Sequence, residues 1–75
     1  MWMDNPKRER FLRVAPARTD KILNLIRLLG NCANTSNYSY TNDEISKIFN
    51  SIRKELDIQE AKFHDSSEKR KRFTL

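Results

Sequence analysis

The chain has 75 residues, 15 Lys and Arg against 10 Asp and Glu for a net charge of +5, and an apolar share of 37%. A chain this short buries only about 60% of the surface it exposes when unfolded, which excludes two independent domains and leaves one marginal core. One cysteine, Cys32, excludes an intrachain disulfide and a multi-thiolate metal site, so the missing stability is expected from a partner chain.

Residues 1–16 read as a basic N-terminal segment. Asn5 and Pro6 have the N-cap and N1 residue types of a helix. Pro16 then interrupts the pattern, since proline removes a backbone donor and restricts the residue before it. The expectation is a short helix or turn over residues 6–14, a break at Ala15-Pro16, and a main helix over residues 17–29. Ile22, Leu25, Ile26 and Leu29 give that helix an apolar stripe, and Gly30 has the residue type of a left-handed C′ stop.

Residues 31–40 hold three Asn, two Ser, one Thr and two Tyr, whose short polar side chains compete for backbone hydrogen bonds and favour a loop. Asn34-Thr35-Ser36 and Asn37-Tyr38-Ser39 match the glycosylation sequon. Without a secretory signal they read as products of composition.

The second helix has the clearest start. Thr41-Asn42-Asp43-Glu44 fits a capping box, Tyr40 and Ile45 have staple spacing, and Asp43 and Glu44 set negative charge at the positive end of the helix dipole. Ile45, Phe49, Ile52, Leu56, Gln59 and Phe63 recur at alternating steps of four and three, with Ile48 widening the stripe. The helix is expected to end near Phe63. Residues 64–75 read as a basic, disordered tail.

The fold class expected is all-α: an antiparallel two-helix hairpin over residues 17–63. Two stripes facing only each other leave their flanks wet, so pairing of two hairpins into a homodimeric four-helix bundle is expected. The competing fold is a ribbon-helix-helix dimer, with residues 8–14 as an intermolecular strand. Poor alternation over those residues and the long loop weigh against it.

Catalysis finds little support. Cys32 and His64 sit at opposite ends of a hairpin, about 22 helical residues or roughly 33 Å apart at ~1.5 Å per residue. One Cys and one His make no tetrahedral zinc site, and a single glycine leaves no phosphate-cradling loop. The expectation is a non-enzyme with no metal and no cofactor.

Charge is the remaining signal. Residues 1–29 carry seven basic and three acidic side chains, residues 42–63 carry four and five, and the tail adds Lys69, Arg70, Lys71 and Arg72 against two acids. A hairpin would gather the two basic ends at one pole. The candidate nucleic-acid-binding residues are Lys7, Arg8, Arg10, Arg13, Arg18, Lys21, Lys69, Arg70, Lys71 and Arg72, which would contact phosphates and release counterions. Lys7 and Arg8 also occupy a helix start where anions are preferred, a placement that local stability does not explain. The competing readings are a solvated positive face and a surface for an acidic protein. Lys69 to Arg72 also has the composition of a nuclear-localisation cluster. In the loop, Asn34, Asn37 and Tyr38 form a candidate partner-binding set, with turn formation as the simpler use of the asparagines.

The stretches Leu28-Leu29-Gly30-Asn31-Cys32-Ala33-Asn34, Ser36-Asn37-Tyr38-Ser39-Tyr40-Thr41, Ile48-Phe49, Lys54-Glu55-Leu56 and Ala61-Lys62-Phe63 resemble a group of small uncharacterised proteins of Gram-positive bacteria and their phages, plasmids and integrative elements. The resemblance spans residues 18–63 and implies a bacterial, cytoplasmic setting in mobile-element biology, against the nuclear reading. The first fifteen residues and the basic tail lie outside it. The resulting expectation is a cytoplasmic nucleic-acid-binding accessory or regulatory protein, without a membrane segment. The alternative is an interaction module that inhibits or adapts a host or phage protein.

Overall fold

The computed structural model describes the backbone of residues 5–73 and the side chains of residues 5–64. It divides into two units, Met1–Ser39 and Tyr40–Leu75, each organised around one helix. Among the described residues there is no strand, and the chain is all-α with two helices. The ribbon-helix-helix alternative therefore fails, because residues 8–14 are helical.

The first unit holds helix α1, Pro6–Gly30. Its start matches the sequence: the Asn5 side-chain oxygen accepts the Arg8 amide at 3.1 Å, and the Asn5 carbonyl accepts the Glu9 amide at 3.0 Å. Pro6 takes N1, where the missing N–H costs nothing.

The expected break at Ala15-Pro16 does not occur, and Pro16 lies inside one unbroken helix. Proline deprives the Leu12 carbonyl of its usual donor, yet the flanking Leu12, Arg13, Ala15, Ala17 and Arg18 are helix-compatible or strongly helix-forming. One lost bond is insufficient to stop that run. Next to the proline, the Thr19 hydroxyl donates to the Ala15 carbonyl at 2.8 Å, giving that carbonyl a side-chain donor.

Gly30 also departs from expectation. Its φ of −59° and ψ of −29° are right-handed helical, and no glycine in the described chain has a positive φ. The Asn31 amide still donates to the Arg27 carbonyl, and the backbone tightens into a 3-10 turn over Asn31–Ala33 before Asn34 becomes extended. The stop is thus made by the asparagine-rich segment rather than by a left-handed glycine.

The second unit holds helix α2, Asn42–Phe73. Thr41 and Glu44 form the full capping box: the Thr41 amide donates to the Glu44 carboxylate at 2.8 Å, and the Glu44 amide donates to the Thr41 hydroxyl at 3.1 Å. The first backbone turn closes from the Ile45 amide to the Thr41 carbonyl at 3.1 Å. At the other end α2 runs to Phe73 rather than stopping near Phe63, so the backbone of residues 64–73 is helical where a frayed tail was expected.

No described side chain is buried. Val14, Ala15 and Leu29 in α1, and Ile45, Phe49 and Ile52 in α2, are half-buried. Large apolar groups remain open to solvent, among them Leu25 at 64%, Leu28 at 60% and Phe63 at 68% exposure.

Two substitutions test the helix ends, read as thermal midpoints by circular dichroism at one fixed protein concentration. Thr41→Ala is expected to cost about 0.5–2 kcal/mol through loss of the cap, and an unchanged midpoint would contradict the assigned start. Gly30→Ala is expected to stabilise by roughly 0.4–1 kcal/mol, because its backbone is right-handed and nothing lies within 4 Å of an added Cβ. A drop in the midpoint would restore the left-handed stop.

Candidate nucleic-acid interface

The continuity of α1 through Pro16 sets which basic residues share a side. At about 100° of rotation per residue, Lys7, Arg10, Arg18 and Lys21 fall within an arc of roughly 80°. Val14 lies within the same arc, and Ala17 borders it about 20° outside. Glu9 and Asp20, the acids of the described part of α1, lie roughly 120–140° from the centre of that arc. A broken helix would have left the relative phase of the two basic pairs undefined.

The remaining basic residues of α1 separate from this strip. Arg8 stands on the apolar side, with its guanidinium 6.0 Å from the centroid of the Phe11 ring, within cation–π range. The hydrocarbon part of Arg8 and the ring of Phe11 therefore share one face. Arg13 lies one turn after Glu9, an i, i+4 spacing suited to opposite charges. Arg27 donates to the Asn24 side-chain oxygen at 2.9 Å. Thus, of the six α1 candidates, the backbone brings together Lys7, Arg10, Arg18 and Lys21 and sets Arg8 and Arg13 apart. Among the described residues, no hydrogen bond or ion pair engages the side chains of those four.

The tail candidates Lys69, Arg70, Lys71 and Arg72 lie in the last turns of α2, and their side chains fall outside the described residues.

Beside the basic strip, Phe11, Ala15, Ile22, Ile26 and Leu29 form an apolar seam over an arc of roughly 60°. From residue 22 onward Leu23, Leu25 and Leu28 add apolar groups on other sides, so the last two turns are apolar nearly all round. The first part of α1 is thus charged on one side, and the end of α1 is suited to burial. In α2, Ile45, Phe49, Ile52, Leu56 and Phe63 form a comparable seam, interrupted by Gln59, whose amide donates to Glu55 at 2.6 Å. Arg53 lies 5.9 Å from the centroid of Phe49 at the edge of this seam.

In the linker the asparagines build turns. The Asn34 side-chain oxygen accepts the Ser36 amide at 3.0 Å, and its carbonyl accepts the amides of Asn37 at 3.1 Å and Tyr38 at 3.0 Å. Asn34 is therefore partly committed to local structure, whereas Asn37 and Tyr38 are exposed, Tyr38 at 51%.

Cys32 is an exposed free thiol in the 3-10 turn, and His64 is exposed on α2. Among the described residues, no group of three or more His, Cys, Asp or Glu is placed to hold a metal ion. No helix among them is long and apolar enough to cross a membrane. Comparison with protein-family models, curated proteins and solved structures finds no match for this chain.

Proposed function

We propose that this chain is a non-catalytic nucleic-acid-binding accessory or regulatory protein of a bacterial phage or mobile element, acting in the cytoplasm. The observation that carries the reading is the single basic strip of Lys7, Arg10, Arg18 and Lys21 on an unbroken helix, with Glu9 and Asp20 turned away from it. Such a strip presents cations to a phosphate backbone without intervening like charge on the ligand side, and counterion release then supplies affinity. Arginine adds bidentate phosphate contacts at Arg10 and Arg18.

In this reading the chain works as a homodimer, in which antiparallel hairpins pair into a four-helix bundle. The support is energetic. Each half-exposed Leu, Ile or Phe on the seams gains about 1 kcal/mol when covered, and the described chain buries none of them. A second copy offers the same stripes in return.

The alternative, an inhibitor or adaptor of a host or phage protein, is favoured by one observation: Tyr38 stays exposed on a turn that Asn34 already holds in shape. Tyrosine is suited to such contacts through its flat apolar body and polar tip.

Electrophoretic titration with duplex DNA at about 50 mM and 200 mM salt separates the two. Nucleic-acid binding predicts a complex at the lower salt that weakens steeply at the higher. No complex at the lower salt would overturn the reading, and stoichiometric capture of a protein partner by a chain lacking the four basic side chains would favour the alternative.

A further inference from the structure

The basic strip has a regular internal spacing. Lys7 and Arg10 are three residues apart, as are Arg18 and Lys21, and the centres of the two pairs are eleven residues apart on the same side of α1. At about 1.5 Å per residue the pairs are separated by roughly 16–17 Å along the axis, with nearly the same angular phase.

We infer that α1 straddles the major groove of duplex DNA, with Lys7 and Arg10 on the phosphates of one strand and Arg18 and Lys21 on those of the other. This inference rests on the nucleic-acid reading above and assigns its geometry. A major groove about 12 Å wide between its phosphate edges has rows of phosphate centres somewhat farther apart, which the two pairs match; a minor groove of about 6 Å is overspanned.

The residues between the pairs fit the same role. Val14 and Ala17 are small and apolar, so α1 can approach the groove mouth without steric interference, and neither side chain can donate or accept a hydrogen bond from a base edge. The contact is therefore mainly with phosphates, and affinity depends little on base sequence.

The test uses the full chain and a duplex DNA of mixed sequence. Affinity is measured by fluorescence anisotropy across a salt series. Three double variants are compared with the parent chain: Lys7→Ala with Arg10→Ala, Arg18→Ala with Lys21→Ala, and Arg27→Ala with Arg53→Ala. Each removes two positive charges, and alanine is the strongest helix former, so α1 remains helical, as circular dichroism verifies.

The straddle predicts that either strip variant makes the slope of log affinity against log salt shallower by about 1.8, and that the Arg27 and Arg53 variant keeps the parent slope. If the parent chain binds DNA but only one strip pair changes the slope, or all three variants change it equally, the straddle is overturned while nucleic-acid binding stands. No DNA binding by the parent chain at low salt overturns both.

Discussion

The constraint on which the rest of this molecule depends is the shortage of interior. Two long helices carry well-formed apolar seams, Phe11 to Leu29 on α1 and Ile45 to Phe63 on α2, and no described side chain on either is buried. Helix propensity and caps alone give marginal stability in water, and most helical stability in proteins comes from covering an amphipathic face. The capping box at Thr41 and the Asn5 cap define where helices begin. They do not supply the apolar contact that would hold those helices together.

The same constraint organises the proposed function. On α1 the apolar seam and the basic strip lie side by side, and the acids are turned away from the strip. In the proposed assembly a second copy would cover the seam and phosphates would meet the adjoining strip, whose nearest residue, Arg18, lies about 20° around the helix from Phe11 and Leu29. The charge pattern of α1 also changes along its length. Its beginning alternates cations with small apolar groups, and its last two turns are apolar nearly all round, which suits a helix that is anchored at one end and presents the other.

Much of the local architecture was legible from residue types. The capping box needs only Thr41 and Glu44 three positions apart, and its two hydrogen bonds form as the spacing dictates. Asn5-Pro6 gave the start of α1 for the same reason. Pro16 departs from its residue type, because its local penalty points to a break while the surrounding run of helix formers carries the backbone through it. That single difference hid the basic strip, since angular phase between Arg10 and Arg18 is defined only along a continuous helix. Gly30 departs in a related way: residue type suggests a left-handed stop, but only the backbone angles reveal that the helix continues into a 3-10 turn. Past Phe63 the apolar repeat ends, so periodicity had nothing with which to extend α2 to Phe73.

Self-association coupled to helix formation is the central claim, and sedimentation analysis combined with circular dichroism over a dilution series tests it most directly. The account predicts twice the 8.9 kDa chain mass at high concentration, with mass and helicity falling together on dilution. A chain that sediments as a single copy and keeps its full helicity at every concentration would contradict it.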